Sequence, residues 1–243
     1  MMEKSYSKYI NLVALSLAVA VGTVDAQQQK KSGLNQPGEV STVETEDLVY
    51  MREEEKLARD SYQVLGEQWG LVIFSNISKS EQKHMDALER LLDRFGIADP
   101  VYDESDVGSF TNPELQALFD DLMARGMESE MEALKVGGAI EETDILDIQQ
   151  AIERAENEGV INTYENLLCG SRNHLRAFVR QIEFYGEVYT PVLLSEDELN
   201  AIVDLPMERG CGASKQGKGK GNGNGKGTGT GKGNGNGKGD TCG

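Results

Sequence analysis

The stretch FSNISKSEQKHMDALERLL, residues 74–92, decides the fold. Its apolar residues Phe74, Ile77, Met85, Leu88, Leu91 and Leu92 recur at helical spacing, so the segment predicts an amphipathic helix with one face in a core. Glu81 and His84 stand three apart on that helix and project from one face. A carboxylate beside an imidazole offers a hard oxygen and a borderline nitrogen to one transition-metal ion. Taken alone, the pair is equally an ordinary surface ion pair. The chain has only 2 His, and the second, His174, falls in another helical stretch. Alone it is a hydrogen-bonded core His.

Working outward, the same periodicity predicts helices over about 45–69 (Leu48, Met51, Leu57, Ala58, Tyr62, Leu65), 73–95, 128–156 and 160–185. Gly70 and Gly96 stop the first two, and Gly137-Gly138 is a weak point in the third. The 96–128 connection contains Asn112-Pro113, a cap followed by proline at the first helical position, and so carries a short extra helix to about Arg125. Ser195-Glu-Asp-Glu198 opens a last short helix by a capping-box pattern. No segment alternates long enough to predict a strand. Short links within each helix pair and a long crossover between pairs describe an all-α, ferritin-like four-helix bundle.

The ends read differently. Residues 1–26 carry Lys4 and Lys8, an apolar run from Leu12 to Val21 and the small-residue site Val24-Asp25-Ala26, the pattern of a signal peptide. Cleavage after Ala26 implies export to the periplasm or the extracellular space and no stable membrane anchor; a retained anchor is the alternative, although the run is short for a bilayer. Residues 27–43 read as a linker and 206–243 as a disordered Gly/Lys/Asn-rich tail. Between them, residues 27–210 hold 38 acids against 16 bases, a net −22. Such a body repels nucleic acid and anionic membrane and attracts cations. Metal ions are the expected partners, with a homodimer as a further expectation. Cys211 and Cys242 flank the tail and are candidates to pair, leaving Cys169 as a small buried hydrophobe.

Glu55-Lys-Leu-Ala58-Arg59-Asp-Ser-Tyr62 resembles the first-helix run Glu-x-x-Ala-Arg-x-x-Tyr of rubrerythrin-type ferritin-like proteins. Ile77 to His84 resembles their second helix, Leu134 to Asp144 their third, and Ser171-Arg-Asn-His174 falls where they carry a second Glu-x-x-His. More specifically, the region 44–205, from Met51-Arg-Glu-Glu-Glu-Lys-Leu-Ala58 to Asn166-Leu-Leu-Cys-Gly-Ser-Arg-Asn-His174, resembles the ferritin-like DUF2202 domain. The resemblance implies metal ligands at Glu55, Glu81 (bridging), His84, Glu141, Asp144 and His174, with Tyr62 nearby as a redox or hydrogen-bonding group. It implies one or two iron ions, with copper, zinc or manganese as alternatives. Ser171 stands where the pattern has its second bridging glutamate. Of Glu53, Glu54 and Glu55, only one is expected to face the core, and the motif selects Glu55.

Two functions follow: a di-iron oxidase or peroxidase acting on Fe(II), O2 or peroxide, and a non-catalytic metal-binding or surface-interaction protein. Other chemistry lacks its motifs, with no G-x-S-x-G and no phosphate-binding glycine loop at a strand–helix junction. Cys169 lies five residues from His174, roughly 140° around a helix, which disfavours a nucleophilic dyad.

Overall fold

A computed structural model describes residues 39–211. The expected signal peptide, most of the 27–43 linker, the tail from 212 onward and Cys242 lie outside the described residues. The elements are α1 (Thr42–Trp69), α2 (Val72–Phe95), α3 (Pro113–Gly126), α4 (Glu130–Arg154), α5 (Glu158–Phe184) and α6 (Glu196–Val203), with no strand among the described residues. The protein is an all-α bundle. The α1–α2 and α4–α5 hairpins pack against each other, α1 on α4 and α2 on α5; α3 lies on α1 and α4, and α6 on α5.

Local chemistry sets the helix ends. Ser41 and Glu44 form a capping box that starts α1, inside the expected linker. Glu44 also accepts from the backbone N–H groups of Glu156 and Asn157 at 2.9 and 2.6 Å, tying the start of α1 to the α4–α5 turn. Asn112, Ser129, Asn157 and Ser195 cap α3, α4, α5 and α6. α4 runs unbroken through Gly137-Gly138, the weak point expected from propensity. Phe178 packs against Gly137 and Tyr189 against Gly138, each where a Cβ would stand.

The core combines Leu48, Leu57, Leu65, Phe74, Leu88, Ile145, Leu175 and Phe178 with an unusual number of buried charges. Five of these, Arg52, Glu53, Lys56, Arg59 and Asp60, serve the crossover, residues 96–112. Arg52 on α1 donates to Asp99 and Glu104, and Arg59 to Asp60 and the Glu104 carbonyl. Lys56 Nζ donates to Asp60, at 2.7 Å to the Asp106 carbonyl and at 3.2 Å to the Ser109 carbonyl, and sits over the Phe110 ring. A resident ammonium thus neutralises Asp60 and pins the connection.

Residues 206–211 depart from the expected tail: Glu208 pairs with Arg172 and Arg176 on α5. Cys211 is bonded to Cys169, not to Cys242. The anchored segment brings Cys211 onto α5, and this corrects the reading of Cys169 as a free hydrophobe.

Candidate metal centre

Glu55 on α1 and Glu81 and His84 on α2 converge, with one ligand atom from each within 4.8 Å of the others; Glu81, Glu141 on α4 and His174 on α5 form a second such triad. Glu81 belongs to both. Its Oε2 lies 2.8 Å from His84 Nδ1 and its Oε1 lies 2.7 Å from His174 Nδ1. His84 Nδ1 is also 3.1 Å from Glu55 Oε2, and His174 Nδ1 is 3.5 Å from Glu141 Oε2. The two imidazoles stack with centroids 5.6 Å apart.

Burial alone does not mark these residues, because Glu53 and Glu142 are equally buried. Glu53 accepts from the N–H groups of Thr111 and Asn112, and Glu142 from Tyr189 Oη and the N–H groups of Val192, Leu193 and Leu194. They are structural caps for distant loops. By contrast, Glu54, Glu55, Glu81, Glu141 and Asp144 keep buried oxygens that receive no aligned hydrogen bond, and so does His174 Nδ1. Apart from the His84–Glu55 hydrogen bond, these short imidazole–carboxylate approaches lie off the hydrogen-bond line on oxygens without a donor, a geometry that could hold a cation.

The electrostatics agree. Burial would raise Glu81, but the His174 and His84 charges outweigh it and hold the carboxyl well below its usual range. Burial would lower His174, but Glu81 and Glu141 push it up to about 10, and Glu55 and Glu81 likewise raise His84. Glu141 is raised to about 7, first by burial and then by repulsion from Glu81, against the pull of His174. Each imidazolium and its neighbouring carboxylates thus stabilise one another's charge.

Tyr62 and Asp144 hold different places. The Tyr62 hydroxyl donates to Glu141 Oε1 at 2.5 Å and packs against Phe74 and Phe178, so it touches a member of the second triad. Asp144 is buried beside Glu54, Glu55, Glu141 and Glu81 but joins neither triad. Ser171, fully buried, turns its hydroxyl back to the Leu167 carbonyl at 3.2 Å. Gly170 was not singled out by the sequence reading, yet a Cβ there would stand 2.5 Å from His84 Nε2. Sequence reasoning also passed over Glu54, which is buried although Glu55 is too. A groove of about 620 Å³ between α2 and α5, lined by Asn76, Ser80, Lys83, Asn173 and His174, with Met207 at its edge, leads to the imidazole side.

A family model described as an uncharacterized protein domain, DUF2202, matches residues 44–206. An uncharacterized protein of Methanocaldococcus jannaschii, MJ0754, is 48% identical over 171 residues, spanning 70% of this chain and 92% of the relative. The crystal structure of the hypothetical protein MJ0754 from Methanococcus jannaschii matches at 47% identity with a TM-score of 0.69, covering 73% of this chain and all of that one.

Proposed function

The chain belongs to the DUF2202 family, and from its two triads sharing one carboxylate we propose a ferritin-like metal centre that holds two iron ions and oxidises Fe(II) with O2 or peroxide. The observation that carries this reading is Glu81, one oxygen facing each imidazole and neither oxygen hydrogen-bonded. Glu55, Glu81 and His84 would hold one ion, and Glu141, Glu81 and His174 the other. Three carboxylates and two imidazoles suit iron or manganese, and so few protein donors would leave room for water or a small substrate. Bound iron supplies one-electron chemistry toward O2 and peroxide.

The surrounding residues divide the remaining work. The Tyr62 hydroxyl fixes the Glu141 carboxylate and stands within a hydrogen bond of it. Phe74 and Phe178 pack against the Tyr62 ring. The groove beside His174 and Lys83 gives small neutral or anionic molecules a path. Export, if the leader acts as expected, implies an external electron source.

Ser171 favours the competing reading, a metal-binding protein without turnover, because the second bridging anion is missing. The test is metal analysis of protein purified without chelator or a His-tag. About two Fe per chain with an O2-dependent absorbance change supports the oxidase. One tightly held copper or zinc with no O2 reaction supports binding alone, and no metal after reconstitution rejects both.

A further inference from the structure

Glu54, Asp144 and Asp147 lie outside both triads, and Asp144 and Asp147 follow Glu141 at three-residue spacing along one face of α4. At the surface, Arg154 pairs with Asp47 at 2.8 and 3.0 Å. Asp147, half-buried, lies within the field of both. Its carboxyl meets that of Glu54, which is 3% exposed and receives a hydrogen bond from no aligned donor at either oxygen. Glu54 shares a cavity wall with Asp144, which is 2% exposed, keeps one orphaned oxygen and lies within the field of Glu55, Glu141 and Glu81. Glu54 and Asp144 are the carboxylates lining a cavity of about 10 Å³, on the order of one water, whose other walls include Leu57, Leu122 and Thr143. Tyr50 on α1 and the unpartnered Tyr164 hydroxyl on α5 lie beside the line.

Carboxylates stacked this deep without a counter-charge are costly, and a divalent ion moving among them removes that cost at each stage. At the other approach, the groove, a cation meets the Lys83 ammonium. We propose that Asp147, Glu54 and Asp144 are a cation route that takes divalent ions from the Asp47–Arg154 pair at the surface to the two triads, a step that rests on the metal-centre reading above. Cations enter through the carboxylate line and small oxidants through the imidazole groove. Arg154 is the movable plug at the outer end.

The experiment is stopped-flow uptake of Co(II) by the metal-free full chain, read from its visible absorption, with folding checked by circular dichroism. Glu54→Gln and Asp147→Asn are each expected to slow uptake roughly tenfold, within the range by which local fields concentrate ions, and to leave the final absorbance and stoichiometry unchanged. Arg154→Gln is expected to speed uptake. If one acidic variant fails to fold, the other carries the test. Unchanged rates in the acidic variants overturn the route, and so does a lowered final stoichiometry, which makes these residues ligands instead. An Arg154→Gln rate at or below wild type overturns the entrance. A wild-type protein that takes up no Co(II) ends this proposal together with the metal centre, whereas normal uptake insensitive to the variants ends the route alone.

Discussion

On one side of the site, α1 supplies Glu55 and α2 supplies both Glu81 and His84, so that triad comes from a single helical hairpin. On the other, α4 supplies Glu141 and α5 supplies His174, but the position three residues before His174 holds Ser171, hydrogen-bonded back into its own helix. The second triad therefore takes its third ligand, Glu81, from across the bundle. One half is complete in itself and the other depends on it. The largest expected effect follows: Glu81→Gln, which keeps the shape and removes the charge, should take bound metal from about two ions to well under one, because a di-metal site of this kind hangs on its shared carboxylate. Glu141→Gln should remove only one. Metal analysis of the two variants decides it, and a full ion retained in Glu81→Gln breaks the comparison.

Gly170 sharpens the same contrast from the opposite helix. It sits in the middle of α5, where Ala is the better helix former by about 1 kcal/mol. Yet a Cβ there would press on His84 Nε2 and Cε1 at 2.5 and 2.6 Å, and a ring cannot bend away as a flexible chain end does. Gly170→Ala is expected to displace His84, empty the α1–α2 triad and halve the metal content. The helix itself should remain, with unfolding stability of the metal-free protein within about 1 kcal/mol of wild type. Equal loss from both triads would show that His84 is not positioned independently of His174.

The contrast also marks what the sequence could reveal. Helix ends were legible where Asn112, Ser195 and the stop glycines act locally, whereas Ser41, which caps α1, lay inside the expected linker. Glu81 and His84 were legible because spacing on one helix fixes a shared face. The run Glu53-Glu54-Glu55 was not, since all three are buried: Glu53 serves the backbone of residues 111 and 112, Glu54 meets Asp147, and Glu55 meets His84. Helical periodicity assigns one face to a core, but these partners arrive from a crossover and a distant helix. For the same reason the Cys169–Cys211 bond was missed, because it depends on Glu208 anchoring the chain to Arg172 and Arg176.

Ser171→Glu tests whether the weaker half lacks only an anion. The position precedes His174 by one helical turn, as Glu81 precedes His84. A carboxylate there should tighten the second ion roughly tenfold, since ligand charge count tunes affinity over decades, and leave the first ion unchanged. Competition titration with a chelator measures the two steps. An unchanged second step means that the fully buried pocket around Ser171 has no room to present the new group.

The smallest effect is the pH dependence of the metal-free protein. Glu141 has an ordinary value of 4.5 and is raised to about 7 by burial and Glu81, so between those values the folded state holds a proton that the unfolded state has released. Its contribution to stability therefore falls as pH rises through that window. His174, raised from 6.5 to about 10, contributes fully below 6.5 and loses its contribution as pH rises toward 10. Both groups act in one direction, so the melting temperature of the metal-free protein should drop by about 5 °C or more between pH 5 and pH 8, given that about 1 kcal/mol moves a domain of this size by a few degrees. Glu81, held low, opposes the trend only below its ordinary range. Bound divalent metal replaces these protons, so the gain in melting temperature on adding Mn(II) should be larger at pH 8 than at pH 6. A gain that is flat with pH would mean that the ion binds without displacing the imidazole protons, and hence not at the two triads.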